Sequence, residues 1–254
     1  MSDGIRKEFI DVMKRSTALL AALFVAFLAA GCATRGAFVY IPGSQPMAAR
    51  RYPARVAVKG FLDQRGNRNR DYTLMTLIPL WPWGKAVYDR PEAGTNFIDQ
   101  VSYLIRPSED FARALIADLR NAGMFEEVFY TEREAPADAD LVLEGVITST
   151  RYEGKTLSYG LSVASEYMWL LGLPMGKSRN EVELGIRLID AKDGGVLWQK
   201  SYGKEESHVG GLYYGRYGYC AGYPEMVREI NGDIVRSMAA ALDGSPPSPR
   251  VNVP

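Results

Sequence analysis

The sequence predicts an α/β (α+β) sandwich, a mixed β-sheet covered by two main helices and interrupted by two apolar insertions. Three observations lead there. The window Ser108 to Gly123 puts Phe111, Leu115, Ile116 and Leu119 on one face at helical spacing. After Pro224 the pattern returns, with Met226, Ile230, Ile234, Met238 and Leu242 recurring every four residues and Val227 and Val235 widening the stripe. Between these windows, Glu181 to Asp190 and Val196 to Glu205 read as a hairpin whose turn, Ala191 to Gly195, contains an Asp-Gly step suited to positive φ. The order strand, insertion, helix, strand, strand, insertion, hairpin, helix is that of helices layered on a sheet.

Ala54 to Leu62 (ARVAVKGFL) is the first strand, with a bulge or bend expected at Gly60. Asp63 to Asp71 reads as a solvated, turn-rich loop. Tyr72 to Ile105 carries Pro79 and Pro82, which argue against a helix or central strand across its middle. The first helix is expected to start at Pro107-Ser108, with Ser108 in the cap and Glu109 and Asp110 in the first turn, and to end at Gly123. Short strands are expected over Glu127 to Tyr130 and over Leu141 to Thr150, the latter burying Leu141, Leu143 and Val146. Gly210 to Tyr223 is rich in glycine and tyrosine, Pro224 opens the last helix, and Gly244 ends it.

Ahead of the domain stands Met13 to Cys32, MKRSTALLAALFVAFLAAGC. Lys14 and Arg15 precede an apolar run from Ala18 to Ala30, and Gly31 closes it, which is the layout of a secretory signal. The run is shorter than the roughly 20 residues a transmembrane helix needs. Its exit, Leu28-Ala29-Ala30-Gly31-Cys32, resembles the lipobox of bacterial lipoproteins, with Ala29 where that family usually has leucine. The resemblance implies acylation of Cys32 and cleavage just before it. Ala33, rather than aspartate, implies sorting to the outer membrane, with the body in the periplasm. Three acyl chains would anchor such a body stably, each buried methylene adding about 0.8 kcal/mol. The expected organisation is signal peptide 1–31, lipidated linker 32–53, a single α/β domain 54–243 and a disordered tail 244–254.

Composition narrows the function. The chain of 254 residues carries 30 basic and 30 acidic residues; removing the signal takes out Arg6, Lys7, Lys14, Arg15, Asp3, Glu8 and Asp11 and leaves a net charge of −1. That balance argues against a nucleic-acid partner, which needs a basic face. With Cys32 acylated, Cys220 stands alone and is expected buried and inert.

The domain is similar to a group of envelope domains that includes the N-terminal domain of TolB, the curli channel CsgG and the penicillin-binding-protein activator LpoB. The resemblance rests on Ala54 to Asp63, on the helix Phe111 to Gly123 leading into Met124-Phe125-Glu126-Glu127-Val128, on Ala139-Asp140-Leu141-Val142-Leu143-Glu144-Gly145-Val146, and on the hairpin Leu188-Ile189-Asp190…Gly194-Gly195-Val196-Leu197-Trp198. It implies the fold above and a role in envelope interactions: an adaptor binding another envelope protein or, alternatively, a subunit of an oligomeric CsgG-like assembly.

The two insertions, Tyr72 to Ile105 and Thr156 to Arg179, depart from that pattern. Each contains an apolar run ending in Pro-x-Gly-Lys, Pro82-Trp83-Gly84-Lys85 and Pro174-Met175-Gly176-Lys177, and they hold three of the four tryptophans, Trp81, Trp83 and Trp169. Trp81, Trp83, Trp169, Leu173 and Met175 are therefore the candidate interaction residues, for a partner, a second copy or a membrane surface. The competing expectation is that both runs fold back as apolar lids over the sheet.

No catalytic residues, metal site or cofactor are expected. His208 is the single histidine. Gly160-Leu161-Ser162-Val163-Ala164, with Asp190 and His208 following in hydrolase order, approaches a nucleophile elbow but lacks its last glycine and any oxyanion-hole motif. Ser162 and His208 are thus expected to be dispensable.

Overall fold

The computed structural model describes residues 36–44, 52–94, 103–132, 138–215 and 222–244. Cys32, Cys220 and the C-terminal tail from residue 245 lie outside them, as does the signal segment. The described chain is a mixed α/β structure built on a sheet of nine strands. Its strands are β2 (Tyr52–Lys59), β3 (Leu62–Asp63), β4 (Asn69–Asp71), β5 (Trp83–Tyr88), β7 (Phe125–Thr131), β8 (Leu141–Ser149), β9 (Tyr152–Leu157), β10 (Pro174–Asp190) and β11 (Val196–Gly211). Helices α1 (Pro107–Ala122) and α3 (Tyr223–Leu242) are long, and α2 (Ser165–Leu170) is short. A separate parallel pair joins β1 (Gly36–Ala37) to β6 (Tyr103–Leu104).

Strand β10 organises the sheet. Its 17 residues alternate buried and outward positions along nearly the whole length. One edge pairs with β11 throughout, and the other pairs first with β9, through Gly176–Asn180, and then with β8, through Glu183–Asp190. Two half-sheets thus share one strand. The half nearer the β10–β11 turn adds β2 and β7, both parallel, in the order β8-β2-β7. The other adds β5 and β4, both antiparallel, in the order β9-β5-β4.

The core lies over the first half. Phe111, Leu115 and Leu119 of α1 and Met226, Ile230, Ile234 and Met238 of α3 are buried with Val56, Val58, Leu143, Ile147, Leu184, Ile186 and Leu188. Both helical stripes match the spacing read from the sequence. Pro107 occupies the first turn of α1, so its missing N–H costs nothing there. The cap differs from expectation: Arg106 stands at the N-cap, and the Asp110 carboxylate accepts its backbone N–H at 2.7 Å.

Four further expectations are corrected. On β8 the buried apolar side chains are Val142, Leu143 and Ile147, while Leu141 and Val146 are half-buried. Gly145 faces the Phe61 ring, where a Cβ would come within 2.4 Å of it. The hairpin extends well beyond Glu181 and Glu205, because small or polar Gly176, Ser178 and Asn180 continue its buried row and carry no apolar signal. A strand, β5, begins directly after Pro82 and is paired on both edges; Pro82 lies outside it and removes no ladder bond. The loop after Asp63 is not uniformly solvated. Arg65 is buried there, donating from Nε to Asp63 at 2.9 Å, from Nη2 to Glu92 at 2.6 Å and from Nη1 to Thr150 at 2.6 Å.

The span expected as a free linker includes a docked segment, residues 36–44. The Phe38 ring packs 5.6 Å from that of Phe111. Tyr40 donates its hydroxyl to the fully buried Asp118 on α1, which also accepts the Gly43 N–H at 3.1 Å and the Asn231 amide of α3 at 2.9 Å. Burial first, and then the Asp118 carboxylate, push the Tyr40 hydroxyl well above the usual phenol range.

Candidate functional site

The paired Pro-x-Gly-Lys endings lie on either side of one strand. Strand β9 lies between β5 and β10, and the register sets Gly84, Thr156 and Gly176 in one row and Lys85, Lys155 and Lys177 in the next. The glycine row faces inward. A Cβ on Gly84 would stand 2.7 Å from the Thr73 carbonyl oxygen and 2.8 Å from its Cα, so a 3₁₀ turn, Thr73–Leu77, rests directly on the strand. The lysine row faces outward. The Lys155 ammonium sits 4.5 Å over the Trp83 ring, and Lys85 pairs with Glu153 at 3.3 Å.

Beyond these strand ends the chain makes two apolar connections. One, residues 72–82, joins β4 to β5; the other, residues 158–173, joins β9 to β10 and contains a 3₁₀ turn, Ser162–Ala164, and α2. Backbone and side-chain bonds lock them together. The Leu80 N–H donates to the Gly160 carbonyl at 2.8 Å, and the Ser162 hydroxyl donates to the Leu77 carbonyl at 2.6 Å. The Tyr159 hydroxyl donates to the Pro174 carbonyl at 2.6 Å, and Tyr213, just past β11, donates to the Leu170 carbonyl at 3.1 Å. Among the described residues, Leu80, Tyr159 and Ser162 are the non-glycine positions with left-handed backbone, at φ 67°, 55° and 53°. Such geometry costs of order 1–3 kcal/mol per residue and persists only where the surroundings impose it.

The surface that results is apolar and open. Leu80 is 90 % exposed, Leu171 76 % and Val163 73 %. Leu74, Leu170, Leu212 and Tyr213 are at least half exposed beside them. Charge is nearly absent: residues 72–84 and 209–215 hold none, and Glu166 is the one charged side chain in 157–176. Contiguous exposed apolar surface of this kind marks contact sites.

The five candidate residues all lie at this end, in two roles. Trp81 and Leu173 are 40 % and 41 % exposed and belong to the surface. Trp83, Trp169 and Met175 are half-buried. The Trp83 ring packs 5.8 Å from that of Trp81, and the Trp169 indole N–H donates to the Leu157 carbonyl at 3.0 Å. The most exposed side chains, Leu80, Val163 and Leu171, are not marked out by the sequence. Single leucines and valines inside an apolar run carry no sign of which way they face. Tyr213 and Leu212 arrive from a distant stretch, through the length of β11.

The set in hydrolase order does not assemble. Asp190 closes β10 at the hairpin turn, whereas His208 pairs with Ser178, twelve residues away along β10 and so roughly 40 Å off. The Ser162 hydroxyl is engaged by Leu77, and His208 Nε2 lies 3.2 Å from Glu206. Among the described residues, no three His, Cys, Asp or Glu side chains converge, and no helix is long and apolar enough to cross a membrane.

No family model matches the chain, and no curated protein matches its sequence. Solved structures do match. Protein XCC0632 from Xanthomonas campestris, of the DUF330 family, shares the α/β fold at 10 % identity and a TM-score of 0.50, covering 84 % of this chain and 98 % of its own. A PelC dodecamer from Paraburkholderia phytofirmans aligns at 16 % identity and a TM-score of 0.34, over 75 % of this chain and 91 % of its own. Lipoprotein GNA1162 from Neisseria meningitidis aligns at 14 % identity and a TM-score of 0.33, over 73 % and 100 %. The first likeness concerns the fold alone, and the other two are too distant to carry an argument.

Proposed function

We propose that this protein is an interaction lipoprotein of the bacterial envelope, acylated at Cys32, sorted to the outer membrane with its body in the periplasm, and without chemistry of its own. Its role is that of an adaptor, docking on another component of the envelope. The TolB-, CsgG- and LpoB-like reading of the domain belongs to this proposal. The observation that carries it is the open apolar end formed by residues 72–82 and 158–173, behind a signal segment that ends on a lipobox-like cysteine.

The test has two arms. Cys32→Ser should release the body from the membrane fraction. Leu171→Glu, at a position 76 % exposed, should leave the protein folded and acylated but abolish its crosslinks to neighbouring envelope components. An unmodified N-terminus elsewhere in the chain, or crosslinks indifferent to Leu171→Glu, would overturn the reading.

One observation favours the alternative of an oligomeric subunit. Among the described strands, β11 pairs with β10 alone, so its outer edge, short of the Val209–Gly211 end on which Tyr214 and Gly215 fold back, offers itself to strand addition by a second copy. Sizing the detergent-extracted protein separates a ring from a monomer by mass.

A further inference from the structure

We propose that the apolar end inserts into the face of an anionic lipid leaflet, with its lysine row on the phosphates. The inference rests on the reading of this end as a contact surface and names what it contacts. Three layers succeed one another along β5 and β9. Aliphatic Leu80, Val163 and Leu171 lie beyond the strand ends; Trp83 and Leu157 pair at the first rung; Lys85 and Lys155 pair two residues further in, with Lys177 beside them. A leaflet presents the same order: hydrocarbon, an interface that favours Trp and Tyr, then charged head groups.

The spacing agrees as well. Two strand residues span about 7 Å, and the head-group layer of one leaflet is on the order of 5–8 Å deep. The next outward row, Glu153 and Arg179, carries both signs, and Glu153 takes up Lys85, so the positive charge the lysine level offers to phosphates is that of Lys155 and Lys177. Here the exposed centre is aliphatic, and Glu166 is its one charge.

The acylated full-length protein, reconstituted in phosphatidylcholine vesicles with or without phosphatidylglycerol, provides the test. Some vesicles carry bromine on the upper acyl chain as a tryptophan quencher. Trp81, Trp83 and Trp169 report on this end, while Trp198 is buried in the body. Bromine should quench the wild-type emission, more strongly with phosphatidylglycerol present. Leu171→Glu combined with Leu80→Asn, which keeps a residue tolerant of left-handed backbone, should abolish the quenching while the denaturation midpoint stays unchanged. Should that pair lower the midpoint, Leu171→Gln alone serves in its place.

Each of Lys155→Gln and Lys177→Gln should weaken insertion by about fivefold, and salt should do the same to wild type. Emission indifferent to bromine in every vesicle overturns the proposal. If a photo-crosslinker at residue 171 then captures a polypeptide, the contact surface stands and its occupant is a protein. If it captures nothing, the contact-surface reading falls too.

Discussion

Gly84 and Gly176 occupy equivalent places on opposite sides of Thr156, one on β5 and one on β10. Two stretches about ninety residues apart that end in the same Pro-x-Gly-Lys pattern thus flank the same strand. The inward side of that row leaves no room for a methyl group at Gly84, where the Thr73 backbone lies within 2.8 Å of a Cβ. Gly84→Ala should therefore lower stability by about 1–3 kcal/mol through overpacking. Chemical denaturation measures it, and an unchanged midpoint would show that the 3₁₀ turn does not rest on the strand.

Leu80 has the opposite character. Its side chain is 90 % exposed and its backbone left-handed, so glycine relieves strain there and removes no packed group. Leu80→Gly should leave the midpoint of unfolding unchanged or raise it by about 1 kcal/mol. A large loss would mean that this end folds against the body as a lid.

The helical stripes pack into the core. Leu115→Ala on α1 and Ile234→Ala on α3, both at fully buried positions, should each cost about 2–5 kcal/mol. Urea titration followed by circular dichroism reads the loss, and a shift near zero would place the residue off the core.

Asp118 ties the segment before β2 to both long helices. Asp118→Ala leaves the donors Tyr40, Gly43 and Asn231 without their buried acceptor, at about 1–3 kcal/mol for each donor that stays unsatisfied. Limited proteolysis should then cut within residues 36–44 faster than in wild type. Resistance equal to wild type would refute the tie.

Acid should weaken the fold through two carboxylates. Hydrogen bonds from Arg65 hold Asp63 below its ordinary range, and hydrogen bonds from Lys59, then Arg187, do the same for Glu144. A depressed folded value stabilises the protein above the ordinary carboxylate range and loses that contribution as pH falls through it. Stability should hold down to about pH 5 and decline below about pH 4. Asp63→Asn should flatten the decline, and an unaltered slope would assign it elsewhere.

The sequence discloses those elements whose pattern is apolar. The stripes of α1 and α3 and the inner half of the hairpin are legible because Leu115, Ile230 or Leu184 can be buried in only one way. The outer half of β10 is not, since Gly176, Ser178 and Asn180 bury small or polar groups on the inward row. Pro82 misleads because a proline just before a strand looks, in sequence, like one inside it. The apolar end is legible in composition but not in direction. Tryptophans draw the eye, yet Trp83 and Trp169 hold up the surface while plain leucines form it.

Residues 36–44 have a mechanical side. Any tension that a membrane-held Cys32 put on the chain would reach the body first at Gly36–Ala37, whose parallel partner is only two residues long. The Phe38 N–H on the Leu104 carbonyl and the Tyr40 hydroxyl on Asp118 come next along the same line. These holds are loaded in series and are far fewer than the paired rungs joining β10 to β11. With Cys32 acylated as proposed, they would give way before the sheet strains, so a hard pull would lengthen the tether and leave the apolar end intact.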